Sequence, residues 1–190
     1  MVRAVLALAF CVWVCSAQPS DPITHDRTPR FEDFKVKARF KGIPAKPRFT
    51  APPELRPNQQ LSENDSLPDA DARYREAVEF DARRGPNFAG RYTIAKWSCG
   101  TGCSSNVVVD AGTGELYREV PYATLDLTGT KYTGLSFRVD SSLLIVEGCL
   151  DTDEDQDHTP ECSRSYYNWV APRFVLLRKV PLAVPEWLKR

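Results

Sequence analysis

Phe34-Lys35-Val36-Lys37-Ala38-Arg39-Phe40 alternates apolar and basic side chains. A period of two places Phe34, Val36, Ala38 and Phe40 on one face of a strand and the cations on the other. The basic face reads first as a solvated edge kept soluble by Lys and Arg. Residues 18–30, QPSDPITHDRTPR, are polar and form a lead, and residues 42–68 hold Pro44, Pro47, Pro52, Pro53, Pro57 and Pro68. That density of proline predicts an extended connector and not a packed element.

The period then changes. From about Asp69 to Arg84, Tyr74, Ala77, Val78 and the pair Asp81-Ala82 fall on one face at helical spacing. Asp69 and Asp71 suit the positive end of a helix, Arg83-Arg84 its negative end, and Gly85-Pro86 stops it. Beyond the helix the pattern is short and β-like. Strands are expected at Tyr92–Cys99, Val107–Asp110, Glu115–Val120, Leu135–Val139, Leu143–Glu147, Ser165–Val170 and Phe174–Arg178, separated by polar turns. One helical segment among so many strands excludes alternating β-α-β units. The expected class is mainly β (α+β): an antiparallel meander with one N-terminal helix and a Pro-rich lead.

The chain opens MVRAVLALAFCVWVCSAQ, with Arg3 before an apolar run from Ala4 to Val14 and small residues before Gln18. This is the layout of a secretory signal peptide, and the run is shorter than the roughly 20 residues a membrane span needs. The expected organisation is therefore a signal peptide over 1–17, an extended lead with one basic strand over 18–68, a stapled β domain over 69–180, and a tail over 181–190. Cleavage removes Cys11 and Cys15 and leaves Cys99, Cys103, Cys149 and Cys162, an even number that reads as disulfides in an exported chain.

Gly100-Thr101-Gly102 reads as a hairpin loop, because glycines supply the positive φ such loops need. Cys99 and Cys103 then face each other at disulfide distance. Cys149 and Cys162 flank an acidic insertion and pair in the same way, a closure that stabilises by roughly 3 kcal/mol in the chain-entropy model. Four cysteines allow three connectivities, so crossed pairing is the alternative. A structural zinc site would want C-x₂-C pairs, whereas the spacings here are C-x₃-C and C-x₁₂-C. A catalytic thiol needs a nearby base, yet the two histidines are His25, in the lead, and His158, in the acidic insertion.

Charge changes the picture only locally. The 25 Lys and Arg balance the 25 Asp and Glu, so no global field selects nucleic acid or an anionic membrane. Residues 27–48 are basic, and residues 151–161 are acidic with no Lys or Arg. Asp151, Asp153, Asp155 and Asp157 are the candidate ligands of a calcium loop, but Gln156 and Cys162 stand where an EF-hand has Gly and Glu. A solvated acidic loop is the plainer reading, and no other cofactor is suggested. Neither G-x-S-x-G nor a phosphate loop is present, and no carboxylate pair is singled out for glycoside hydrolysis.

Three stretches carry a resemblance as a set: Gly85-Pro86-Asn87-Phe88-Ala89-Gly90-Arg91-Tyr92, Trp97-Ser98-Cys99-Gly100-Thr101-Gly102-Cys103 and Asp110-Ala111-Gly112-Thr113-Gly114. With Asp140–Val146 and Tyr166-Tyr167-Asn168-Trp169, they resemble a family of uncharacterised secreted or periplasmic bacterial proteins over roughly residues 70–178. The resemblance implies a bacterial envelope address and transfers no chemistry. In that family His often stands at the position of Arg91 and Gly at that of Ser98, so this chain departs from the pattern at both.

The expected function is a secreted or periplasmic binding or envelope-associated module, monomeric and non-catalytic, whose partner is an envelope protein or a glycan. Its expected contact surface is the hairpin tip, Gly100, Thr101 and Gly102, with Arg91 and Trp97. A carboxylate-based hydrolase of cell-wall or external polymer is the second class, and an inhibitor of a partner enzyme the third.

Overall fold

The hairpin that begins at Tyr92 carries apolar side chains on both faces, Ile94 and Val108 on one and Ala95, Val107 and Val109 on the other, and both sets are covered. β1 (Tyr92–Gly100) and β2 (Cys103–Asp110) pair antiparallel, Ile94 opposite Val108, and β3 (Leu116–Tyr117) extends the sheet from β2. Ala95, Val107 and Val109 on one face pack against Tyr74, Val78 and Ala82 of helix α1 (Leu67–Arg83). Ile94 and Val108 on the other face meet Leu144, Val146 and Trp169 of a second sheet. That sheet runs β4 (Leu135–Phe137), β5 (Leu143–Leu150), β6 (Glu161–Val170), β7 (Arg173–Pro181), each antiparallel to the next. The computed structural model describes residues 27–50, 67–100, 103–118, 120–121, 134–150 and 161–186. It is mainly β of the α+β class, in three layers: helix, three-stranded sheet, four-stranded sheet.

The helix follows its sequence signals, beginning two residues before the expected Asp69 and ending at Arg83. Gly85, at φ +89°, takes the left-handed position that closes it. Between the sheets lies an aromatic layer. Trp169 stands 5.3 Å from Tyr92, 5.5 Å from Tyr117 and 4.7 Å from Phe174, and Phe88 stacks on Phe174 at 5.9 Å. Edge-to-face contacts of this kind each add about 0.5–1.5 kcal/mol to the burial term.

One of the two cysteine hairpins holds in register, and in the other Gly100 takes the place expected for Cys99. Cys149 stands directly opposite Cys162 on β5 and β6 and is joined to it by a disulfide. Gly100 stands opposite Cys103, with a register shift between Ser98 and Gly100. The side chains of Cys99 and Cys103 lie outside the described residues.

Two expectations change. The single meander is divided into two sheets, because β4 pairs with β5 and not with β3. The basic strand over residues 34–40 is instead a 3-10 turn at Phe31–Phe34, one bridge from Lys35 to Ser141, and extended chain beyond. Alternation alone cannot tell a strand from an extended segment laid over turns, since both have a period of two.

Core and surface positions should separate cleanly in urea unfolding. Leu144→Ala, at a fully buried inter-sheet position, should lower stability by about 2–5 kcal/mol. Phe80→Ala, on a helix position that is 54% exposed, should change it by about 0.5 kcal/mol or less.

Candidate binding surface

Residues 35–49 form a strap across the ends of the sheets. Four of its amides donate to turns: Val36 N to Asp140 O (3.0 Å), Phe40 N to Gly90 O (2.7 Å), Ala45 N to Ala111 O (2.8 Å) and Arg48 N to Gly114 O (2.8 Å). Val36 packs against the inter-sheet core and Phe49 against the helix-facing core. Two glycines make the seats. A Cβ on Gly90 would collide with the Ala38 carbonyl, and one on Gly114 with the Lys46 carbonyl. Both glycines also hold φ +75°, a conformation L side chains resist. The segment expected to be an unpacked connector is therefore held in place at least through Phe49.

With Val36, Phe40 and Phe49 half-buried, Lys35, Lys37, Arg39, Lys41, Lys46 and Arg48 are all exposed. The carboxylates around them are engaged elsewhere. Asp110, 6% exposed in its side chain, accepts the Arg91 guanidinium through both oxygens at 2.8–3.0 Å, and its Oδ1 also accepts the Gly112 amide at 2.7 Å. Arg138 holds Asp140 at 2.9 Å and Glu32 at 2.8 Å. That contact is the chief cause of a lowered Asp140 pKa; a backbone hydrogen bond is the chief cause for Glu32. Glu115 accepts the Tyr117 hydroxyl at 3.0 Å. Burial first, and that bond second, push the Tyr117 pKa up to about 12. Among the described residues, none of the six strap cations has an ion-pair partner.

The structure does not gather the residues expected at the hairpin tip. Arg91 precedes β1 and Gly100 ends it, a separation of about 30 Å at strand rise. Trp97 points to the helix side, with its ring 4.8 Å from Tyr74. Thr101 and Gly102 lie outside the described residues, as do Asp151, Asp153, Asp155 and Asp157. No cluster of potential metal ligands occurs among the described residues.

Sequence reasoning missed Lys96. It lies in the same inward phase of β1 as Tyr92 and Ile94, with its Nζ 4.8 Å above the Phe137 ring. Burial lowers its pKa, and Asp81 partly opposes that effect. Its cross-strand neighbour Asn106 is 5% exposed and has an Oδ1 that is buried without a hydrogen-bond partner. The phase was readable in Tyr92-Thr93-Ile94-Ala95-Lys96, where a lysine takes an apolar turn of the alternation.

Comparison with protein-family models, with curated proteins and with solved structures finds no match. The surface's own chemistry therefore carries the functional reading.

Gly114→Ala should destabilise by about 1–3 kcal/mol and speed hydrogen exchange at Ala45 and Arg48, whose amides lie on that turn. Gly85→Ala has φ +89° and open space around the added carbon. It should cost only the local strain, about 1 kcal/mol, and leave strap exchange unchanged.

Lys96 makes a separable pH prediction. Its pKa is depressed in the folded state, so the unfolded chain binds more protons between that value and the ordinary 10.5. Stability should rise with pH through that window. Lys96→Met should remove this component, seen as a flatter midpoint-versus-pH curve than the parent chain as pH rises toward 10.5 in parallel urea titrations.

Proposed function

We propose that this chain is an exported, non-catalytic binding module that holds anionic polymer of the cell envelope, an acidic glycan, along the strap. The observation that carries the reading is the set of six exposed cations, Lys35 to Arg48, on a backbone pinned at Gly90 and Gly114 while the neighbouring carboxylates are engaged by Arg91, Arg138 and Tyr117. A pinned segment loses little conformational entropy on binding. Lys35, Lys37, Arg39 and Lys41 are exposed within seven residues of chain that bends at Lys37 and Gly42, a concentration of cations suited to a linear polyanion. Export is supported by the leader-like N-terminus, by the Cys149–Cys162 disulfide, and by the resemblance to secreted and periplasmic proteins. An extracytoplasmic address favours acidic glycan over nucleic acid as the polyanion.

The test is retention of the chain from Gln18 onward on immobilised polyuronate. Binding should be present at about 20 mM salt and lost by about 0.5 M, where exposed charges are screened. The variant Lys37→Gln/Arg39→Gln/Lys41→Gln/Lys46→Gln should bind at least about tenfold more weakly with an unchanged melting midpoint. Salt-independent retention, equal retention of the variant, or equal retention on a neutral glucan would overturn the reading.

A further inference from the structure

A sheet exposes a row of unpaired N–H and C=O groups at each edge, and natural folds blunt those edges. Two of the four edges in this fold are cut short: β3 has two residues and β4 three. The third, β1, is long but occupied at every second residue. Tyr92 N donates to Phe88 O (2.9 Å), Ile94 N to Asn87 Oδ1 (2.8 Å) and Lys96 N to Asp81 Oδ2 (3.1 Å), while Asn87 Nδ2 returns a bond to Ile94 O (3.1 Å). The fourth edge, β7, runs nine residues from Arg173 to Pro181 at the end of the second sheet. Its backbone pairs with β6 on one side, and among the described residues its outer side meets nothing. Lys179 and Pro181, together with a register shift that leaves Leu177 unpaired, are the only blunting features it has.

Side chains single out the same edge. Val170, Val175 and Leu176 are three of the five large exposed hydrophobic residues among the described residues, and Leu176 is 52% exposed. Val175 and Leu176 are consecutive, so they lie on opposite faces of the strand. The strand carries Arg173, Arg178 and Lys179 and no acid. Lys179 is paired with Glu161, whereas the Nη1 of Arg178 is buried without an acceptor.

We infer that β7 is a docking edge for an extended segment of a partner protein, one that alternates apolar and acidic residues and adds a fifth, antiparallel strand to the sheet. Main-chain bonds to the open edge supply affinity without regard to sequence. Carboxylates on the face that carries Arg173 and Arg178, with apolar side chains on the opposite face beside Leu176, supply selectivity through cross-strand pairs. A second copy of this chain is the poorer occupant. Two β7 strands paired about Leu177 would bring six cations, Arg173, Arg178 and Lys179 from each copy, into one interface with no acid from either strand. This surface is separate from the strap and stands whether or not the strap binds glycan.

The test uses the full chain from Gln18 onward, uniformly labelled with nitrogen-15, and a blocked nine-residue peptide alternating glutamate with valine. Amide shift changes should concentrate in residues 173–181, and hydrogen exchange at alternate β7 amides should slow at least tenfold at saturation. The same peptide N-methylated at alternate residues along one edge should bind at least tenfold more weakly, because it can no longer donate to the ladder. A peptide with lysine in place of glutamate should also bind at least tenfold more weakly. Equal binding of the N-methylated peptide would overturn strand addition. Shifts confined to residues 35–48, no binding at about 1 mM peptide, or concentration-dependent protection of β7 without peptide would each overturn the assignment. The last of these would identify a second copy as the occupant.

Discussion

Asp110 is a buried carboxylate, and burying a charge is tolerable only when it is fully engaged. Its partners set the corner of the molecule. The Arg91 guanidinium takes both oxygens, the Gly112 and Thr113 amides bond to Oδ1, and the Ala111 amide returns to the Arg91 carbonyl. These bonds tie the approach to β1 to the end of β2 and fix the turn from Asp110 to Gly114. Close quarters explain the small residues there: a Cβ on Gly112 would crowd the Arg91 guanidinium, and one on Gly114 would strike the strap. The ordered presentation of the strap cations thus depends on a neutralised carboxylate at its seat. An arginine already spent in this way is a poor candidate for a ligand contact of its own.

The layer between the sheets follows a second constraint. Two sheets with inward aromatic faces leave the polar tips of those rings in need of water or a partner, and the Nε1 of Trp169 is buried without one. Tyr117 meets this by pointing its hydroxyl to Glu115 at the margin. Lys96 meets it differently, by laying its charge over Phe137, a contact the ring quadrupole favours. The cost appears as a lowered pKa. Asn106 completes a polar patch at the same level of the hairpin, so the aromatic packing around Trp169 gives way there to polar groups.

What could be read from the sequence was whatever depends on near neighbours. The helix was framed by Tyr74, Val78 and Gly85, and the Cys149–Cys162 pairing follows from two strands of matched phase flanking one insertion. What could not be read depended on which distant segment lies alongside. Residues 34–40 alternate as a strand would, but their hydrogen-bond partners are turns near Gly90 and Asp140, and no local pattern announces that. Gly90 and Gly114 are needed chiefly because another backbone crosses them, which no local pattern shows. Arg91 and Trp97 looked available for binding because both flank a cysteine hairpin. One is instead committed to Asp110 and the other to the helix layer.

The treatment of backbone polar groups separates the two proposed surfaces. Along the strap, four amides are consumed by turns and six cations face solvent, so the recognition proposed there is electrostatic and salt-sensitive. At β7 the outer main-chain groups meet no partner among the described residues, so the recognition proposed there is set by hydrogen-bond direction and strand phase, which salt screens far less. The two proposed partners differ in chemistry and meet different residues, so the proposals predict no competition between them. Under both, Lys and Arg do the selecting: on the strap by attracting a polyanion, and on β7 by favouring an acidic strand over a second copy.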